Sequence, residues 1–153
     1  HPAANLGSMV RSNQLLRSWY MLFFQLPWLP ELTLSRTRGS RRMLRRLGMT
    51  DAMIRAFREE IVEDGALRGG LNYYRAIPLS DLRRAWKRVA VPTTHVWSDN
   101  DPALGRKGAD LTERYVDADY RLEVLPGVGH WVPEQAPEHL ADIICARMGL
   151  TVG

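Results

Sequence analysis

A single histidine, His130, stands in the small-residue turn "PGVGHWVPEQAP" at residues 126–137, between a strand-like run and a helix-like run. Reactive groups in open α/β sheets gather at the carboxyl ends of the strands, so this is a common place for a catalytic base. The preceding strand-like run ends in "WSDND", which offers Asp99 and Asp101. A carboxylate bonded to one ring nitrogen fixes the tautomer and lets the other nitrogen take a proton. Spacing from the strand favours Asp101, and the following Pro102 fixes the turn.

These residues need a scaffold, and the hydrophobic pattern predicts one in two parts. From residue 8 to about residue 88, apolar residues recur three and four positions apart, which is typical of helices. From Val89 onward the pattern is strand, loop, helix, strand, loop and helix, which is typical of parallel strands joined by crossover helices. The sequence therefore predicts a helical region at 1–88 and part of an α/β domain at 89–153. Because parallel sheets are covered on both faces and need neighbouring strands, we expect the second part to be the end of a larger sheet.

The composition is typical of an ordinary globular domain, and it predicts no cofactor. A chain of 153 residues with 45% hydrophobic residues can bury a core. The single cysteine, Cys145, allows no internal disulfide and none of the usual zinc spacings, so we expect a reducing, cytoplasmic setting. The apolar stretch at 19–30 is too short to span a membrane and is interrupted by prolines, which indicates core or pocket lining. We expect no metal, no organic cofactor and no integral membrane segment.

The net charge of +4 has its excess in the stretch "SRTRGSRRMLRRLG" at 35–48. Such a cluster can attract nucleic acid or an anionic membrane. Because no nucleic-acid motif or interleaved aromatic pattern accompanies it, a solvated helix face is the preferred interpretation, and we expect no nucleic-acid partner. The arginines of the cluster are Arg36, Arg38, Arg41, Arg42, Arg45 and Arg46.

A nucleophile for the base is not found in the chain. No "GxSxG" elbow occurs, nor a strand-turn-helix with Ser, Cys or Asp at a tight turn, nor an oxyanion loop before the helical region. Without them His130 and Asp101 have nothing to activate toward a substrate, so we expect residues 1–153 alone to be inactive. A non-enzymatic, truncated remnant is therefore an open alternative, and an exposed sheet edge would favour its aggregation.

Five stretches, taken together, resemble one family. They are "HPAAN", "LLRSWYMLFFQLPWLPE", "LRGGLNYYRAI", "VPTTHVWSDNDPALG" and "LPGVGHWVPEQAPEHL". In this order they resemble the C-terminal portion of an α/β-hydrolase of the epoxide hydrolase type, over nearly all of the chain. There they would be the end of the sixth strand, two cap segments, the seventh strand with the acid loop, and the histidine loop with the last helix. The resemblance implies a helical cap, or lid, at 1–88, followed by the last two parallel strands and helices of the α/β core.

The resemblance also implies roles for particular residues. The acid of the family matches Asp101, its water-activating base matches His130, and two cap tyrosines that hydrogen-bond the epoxide oxygen match Tyr20 and Tyr74. Phenols suit that role because they stabilise a developing alkoxide without carrying a charge. The implied reaction is hydrolysis of an epoxide to a vicinal diol through an alkyl-enzyme ester, whose aspartate and oxyanion loop would precede this chain. The residues expected to line an apolar pocket for a small hydrophobic epoxide are Trp19, Phe24, Trp28 and Trp131.

A dehalogenase of the same superfamily is the nearest alternative. It would keep the aspartate, the acid and the histidine, but would replace the oxygen donors with halide-binding donors such as Trp or His. Trp19, which stands beside Tyr20, keeps this haloalkane or haloacid reaction open. An esterase with a serine nucleophile is disfavoured, because the serine elbow is absent.

Overall fold

The first half of the chain is helical in the computed structural model, which describes residues 1–150. Within that half no strand occurs among the described residues, so the predicted helical character of this region is confirmed. A π-helical segment, Phe57–Glu63, continues the sixth helix, and 3₁₀ turns at Ile77–Leu79 and Leu82–Trp86 follow the seventh. The helices are α1 Pro2–Arg11, α2 Gln14–Arg17, α3 Trp19–Phe23, α4 Leu29–Ser35, α5 Thr37–Arg46, α6 Asp51–Ala56 and α7 Leu67–Ala76.

Local signals explain where several of these helices begin and end. The hydroxyl of Thr50 accepts a hydrogen bond of 3.2 Å from the backbone N–H of Met53 and so caps α6. Gly48, with φ of 87°, follows α5, and Gly65, with φ of 77°, follows the π-helical segment. The π-helical geometry itself was not predicted, because apolar spacing of three and four residues does not distinguish a π-helical turn from an α-helical one.

The second half of the chain contains the two strands of a parallel sheet. They are aligned from Thr93 opposite Tyr120 to Ser98 opposite Leu125, and an isolated parallel bridge joins Val89 to Val116. This agrees with the predicted order of strand, helix, strand and helix, and the α/β fold class is confirmed. The elements are β1 Thr93–Ser98, α8 Arg106–Thr112, a 3₁₀ turn Glu113–Tyr115, β2 Tyr120–Leu125, α9 Val132–Gln135 and α10 Pro137–Met148.

The chain divides into two compact units, and the division differs from the predicted boundary at 88/89. One unit contains His1–Leu15 together with the chain from Arg83 onward, and the other contains Leu16–Leu82. Residues 1–15 therefore belong with the strands because α1 packs on α8. A Cβ at Gly108 would lie 2.6 Å from Oδ1 of Asn5, so the glycine permits a close approach. "HPAAN" begins a helix in this structure, with Pro2 in its first turn, and is not the end of a strand.

Each unit has its own apolar core. Leu125, at 1% exposed, is part of the core of the α/β unit, and Leu71, at 3% exposed, is part of the core of the helical unit. Fully burying such a side chain contributes about 1.5–3 kcal/mol. None of the helices within residues 1–150 combines the length and the apolar character needed to cross a membrane.

The arginine cluster lies largely on α5. Arg41 and Arg45 both bind the carboxylate of Asp51, at 3.0 and 2.7 Å, and these bonds hold the start of α6 against α5. The side chain of Arg38 lies outside the described part of the chain. The other members, Arg36, Arg42 and Arg46, are exposed to solvent. The absence of a nucleic-acid partner stays a prediction.

Candidate active site

Asp101 and His130 lie together beyond the carboxyl ends of β1 and β2. Nδ1 of His130 is 2.9 Å from Oδ2 of Asp101. The two loops are also bonded through their backbones, since the N–H of Asn100 donates to the carbonyl of Val128 at 3.2 Å. The parallel pairing of the strands explains the meeting, because it places both carboxyl ends at one edge of the sheet.

The Asp101 carboxylate is buried and held on both oxygens. Its side chain is 5% exposed, and Oδ1 accepts hydrogen bonds from the backbone N–H groups of Ala103 at 2.7 Å and Leu104 at 2.9 Å. Burial acts to raise the pKa of Asp101, but the hydrogen bonds from His130, Leu104 and Ala103 together outweigh it, so the pKa lies below its ordinary value. Asp101 is therefore ionised at neutral pH despite its burial.

His130 is held in a state that suits a base. The hydrogen bond to Asp101 raises the pKa of His130 above its ordinary value, burial opposes this, and the charges of Asp101 and Glu134 add to the increase. The bond at Nδ1 selects the tautomer in which Nε2 can accept a proton when the ring is neutral. The Trp131 ring meets the imidazole edge-on, with centroids 5.2 Å apart and planes at 82°. Trp131 therefore contacts the imidazole, and its role in lining the substrate pocket stays a prediction.

Three side chains hold the turn that carries His130. The Ser98 hydroxyl donates to the carbonyl of Gly129 at 2.6 Å, and Oε1 of Gln135 accepts from the N–H of Gly129 at 2.8 Å. Asp99 accepts from the N–H of Gly127 at 2.7 Å, where φ is 73°. The two candidate carboxylates thus have different partners: Asp101 binds the imidazole and Asp99 binds the turn. Sequence analysis missed Ser98 and Gln135, because no motif marks a side chain that bonds to a loop backbone.

The two predicted tyrosines meet in the helical unit. The Tyr20 and Tyr74 rings have centroids 6.1 Å apart at 80°, and Phe24 contacts Tyr74 at 5.0 Å and Tyr20 at 5.7 Å. Burial raises the pKa of Tyr74 above its ordinary value, with a smaller contribution from Tyr73, so its hydroxyl keeps its proton. Three of the residues predicted for the substrate site therefore form one aromatic cluster of Tyr20, Phe24 and Tyr74.

The two remaining predicted pocket residues are more exposed. Trp19 is 56% exposed and contacts Phe23, with ring centroids 6.1 Å apart. Trp28 is 72% exposed and precedes α4 with a φ of 50°, an uncommon conformation for a residue with a side chain. The aromatic contacts of the cluster of Tyr20, Phe24 and Tyr74 do not include Trp28. The pocket roles of Trp19 and Trp28 stay predictions.

A cavity of about 290 Å³ lies elsewhere in the α/β unit, between one face of the sheet and α10. Neither Asp101 nor His130 lines it, so we do not assign it to the candidate site. Within residues 1–150, no three His, Cys, Asp or Glu side chains come together as a metal-binding group. The residues that line the cavity are Thr94, Arg121, Glu123, His139, Asp142, Ile143, Ala146 and Arg147.

Comparison with known sequences shows the family to which the chain belongs. A family model described as the alpha/beta hydrolase family matches residues 3–143. Epoxide hydrolase 3 of Mus musculus is 32% identical over 141 residues, which cover 87% of this chain and 38% of that protein. Epoxide hydrolase 4 of Homo sapiens is 32% identical over 144 residues, which cover 86% of this chain and 39% of that protein. The chain thus spans about two fifths of the length of these relatives.

Solved structures have the same fold. An epoxide hydrolase from Bacillus megaterium, in complex with an inhibitor, matches with a TM-score of 0.73 at 18% identity, over 95% of this chain and 56% of that one. Wild-type Cfl2 from Burkholderia cenocepacia matches with a TM-score of 0.68 at 25% identity, over 86% of this chain and 48% of that one. The resemblance inferred from the sequence is confirmed: the chain belongs to the alpha/beta hydrolase family, and within that family it resembles the epoxide hydrolases.

Proposed function

We propose that this chain carries the acid, the base and the oxygen-binding tyrosines of an enzyme that hydrolyses a hydrophobic epoxide to a vicinal diol. The observation that supports this most directly is the 2.9 Å bond between His130 Nδ1 and Asp101 Oδ2. An ionised carboxylate behind an imidazole is the arrangement of a general base. The similarity to proteins named epoxide hydrolases supplies the substrate class.

The reaction has two steps in this proposal. First, the carboxylate of an aspartate outside residues 1–153 attacks one epoxide carbon, the ring C–O bond breaks, and an alkyl ester forms. The epoxide oxygen leaves the carbon with the bonding electron pair, and a phenol proton neutralises it. Second, Nε2 of His130 takes a proton from water while the water oxygen attacks the ester carbonyl. Collapse of this adduct breaks the bond between the acyl carbon and the diol oxygen, and that oxygen receives the proton from His130 as the second hydroxyl. The carboxyl group that remains returns its proton to the tyrosinate, which restores both the aspartate carboxylate and the phenol.

Tyr20 and Tyr74 are the proposed donors to the epoxide oxygen. Two phenols can stabilise the negative charge that develops on that oxygen, and each remains neutral at the start of the reaction. The raised pKa of Tyr74 supports a protonated donor at neutral pH. The aromatic cluster that Tyr20 and Tyr74 form with Phe24 supports an apolar substrate, because aromatic walls are typical of sites for hydrophobic ligands.

We propose further that residues 1–153 alone do not complete this reaction. The chain contains no serine elbow and no strand-turn-helix that would present an aspartate nucleophile. The proposal therefore distinguishes the native protein, expressed from its own gene, from residues 1–153 expressed separately. Diol formation by the separate chain would contradict this part of the proposal.

Diol formation from a panel of hydrophobic epoxides tests the function in the native protein. We expect turnover that falls by about 10²- to 10⁴-fold in His130→Ala, because a positioned general base contributes this much. We also expect the variant to accumulate a covalent ester, visible by mass spectrometry, because alkylation does not need the base. His139→Ala is the matched control, since His139 is an exposed histidine on α10 and lies outside the turn that carries His130. Native protein without any epoxide turnover would refute the proposed function.

A further inference from the structure

Gln14 connects the acid loop to the segment that follows α1. It is 3% exposed, and its side-chain amide hydrogen-bonds to a loop about ninety residues away in sequence. Nε2 donates to the carbonyl of Ala103 at 2.7 Å, and Oε1 accepts from the N–H of Gly105 at 2.8 Å. A buried amide that binds a backbone carbonyl and a backbone N–H in the same loop fixes both the position and the orientation of that loop.

The bonds of Gln14 reach Asp101 through one peptide group. The Ala103 carbonyl, which accepts from Gln14, and the Leu104 N–H, which donates to Oδ1 of Asp101 at 2.9 Å, belong to the same planar unit. A planar peptide cannot rotate one end without the other, so the bond to Gln14 fixes the direction of the N–H that binds the carboxylate. Hydrogen bonds linked through one peptide also polarise each other.

The next peptide group is held in a similar way. The carbonyl of Leu104 accepts from Nε1 of Trp97 at 3.0 Å, and the N–H of Gly105 donates to Gln14. Trp97 is 8% exposed and lies on β1, so the loop is fixed between the sheet and Gln14. Two consecutive peptide groups beside Asp101 therefore depend on the same glutamine side chain.

The packing of α1 explains why Gln14 can reach the loop. Gly108 on α8 faces Asn5 and Ser8 on α1, which permits close contact of the two helices. The Ser12 hydroxyl donates to the carbonyl of Ser8 at 2.8 Å and accepts from the N–H of Gln14 at 3.2 Å. The backbone of Gln14 is thus tied to the end of α1, next to the beginning of α8.

We propose that Gln14 is a positioning residue, whose side-chain amide keeps the Asp101 carboxylate directed at His130. This inference rests on the proposed function, because it assigns Gln14 a role in the work of that acid–base pair. Loss of both bonds leaves the Ala103 carbonyl and the Gly105 N–H without these partners, and buried backbone groups in that condition move to find others. The Leu104 N–H, which binds Oδ1 and shares a peptide group with the Ala103 carbonyl, moves with that carbonyl, and the contact between Asp101 and His130 loosens.

Gln14→Leu in the native protein tests the proposal with two independent measurements. An NMR titration of the His130 ring should show its pKa shifted down toward that of an ordinary histidine, because the bond to Asp101 raises it in the wild type. In steady-state epoxide hydrolysis we expect kcat to fall about 10- to 100-fold while KM changes little, since misplaced groups lose rate through orientation. Thr112→Val is the matched control: Thr112 is also buried in the same unit, and its hydroxyl bonds the Gly108 carbonyl at 2.9 Å. It should change neither measurement.

A second variant serves if Gln14→Leu does not fold. A Cβ at Gly105 would lie 3.3 Å from Oε1 of Gln14. Gly105→Ala therefore shifts the Gln14 amide away from the loop without removing the glutamine. We expect the same direction of change in the pKa of His130, with a smaller size. An unchanged His130 pKa in a folded variant that lacks or displaces the amide would overturn the role of Gln14. If the wild type hydrolyses no epoxide, the proposed function fails, while the titration still decides whether Gln14 positions the pair.

Discussion

The two regions that carry the proposed chemistry are stabilised by different forces. Around Asp101 and His130, directional hydrogen bonds of 2.6–2.9 Å fix the carboxylate and the turn before the imidazole. The rings of Tyr20, Phe24 and Tyr74 contact one another with centroids 5.0–6.1 Å apart. Hydrogen bonds define the angle of a group, whereas ring packing restricts its place and tolerates small rotations. The hydrogen bonds therefore fix the angle between Asp101 and His130, whereas the contacts among the aromatic rings fix mainly the place of each ring.

The difference follows from charge. A buried carboxylate is costly unless several donors compensate it, and Asp101 has an imidazole and two backbone N–H groups for that purpose. A tyrosine is neutral, so burial only raises its pKa, as it does at Tyr74. The charged acid behind the proposed base therefore requires several hydrogen-bond donors. The proposed oxygen donors are neutral, and an apolar surrounding keeps them protonated.

Replacing Asp101 is expected to have the largest effect. Asp101→Asn removes the charge behind the imidazole and allows the amide to select the wrong ring tautomer, so we expect the hydrolysis of the ester to slow by about 10³- to 10⁴-fold. Single-turnover kinetics on the native protein would measure this step directly. Asp99→Asn is the control, because Asp99 binds the turn at Gly127. Equal losses of rate in the two variants would mean that ester hydrolysis depends on the hydrogen bonds that hold the two loops and not on the charge of Asp101.

The tyrosines give a smaller expected effect and distinguish the two candidate reactions. Tyr74→Phe removes one donor to the epoxide oxygen, and we expect kcat/KM to fall by about 10²- to 10³-fold. Tyr73→Phe is the control, because Tyr73 is 76% exposed beside Tyr74. A harmless Tyr74→Phe, together with halide release from a haloalkane or haloacid, would instead favour the dehalogenase alternative and would contradict the proposed role of Tyr74.

Sequence patterns predicted the parts of the molecule that depend on local order. The strands of residues 93–98 and 120–125 follow from β-branched and apolar runs, and their parallel pairing places Asp101 near His130. The family resemblance likewise rests on short local motifs. Such patterns could not predict the role of Gln14, because its hydrogen bonds join residues about ninety positions apart. A glutamine that follows a helix also belongs to no recognisable motif. The boundary between the compact units differs from the predicted one for the same reason, since α1 belongs with the strands through its packing on α8.

The smallest expected effect is the change of the free energy of unfolding with pH. The sign of this change differs between Asp101 and His130. The pKa of Asp101 is lowered in the folded protein, so its contribution is present above the unfolded value of about 3.9 and is lost as the pH falls through the folded value. The pKa of His130 is raised, so its contribution is fully present below about 6.5 and is lost as the pH rises through the folded value.

The contribution of the ion pair should therefore be greatest between these two windows. We expect the free energy of unfolding of the wild type to exceed that of Asp101→Asn by about 1–3 kcal/mol near pH 5, the range of a hydrogen bond to a charged group. The excess should shrink at alkaline pH, above the folded pKa of His130, where the imidazole is neutral in both states. Urea unfolding near pH 5 and at alkaline pH measures this excess. The difference in the free energy of unfolding between the wild type and Asp99→Asn should not decrease in the same way. An excess of equal size at both values would mean that Asp101 stabilises the fold through its backbone bonds and that its pairing with His130 adds little.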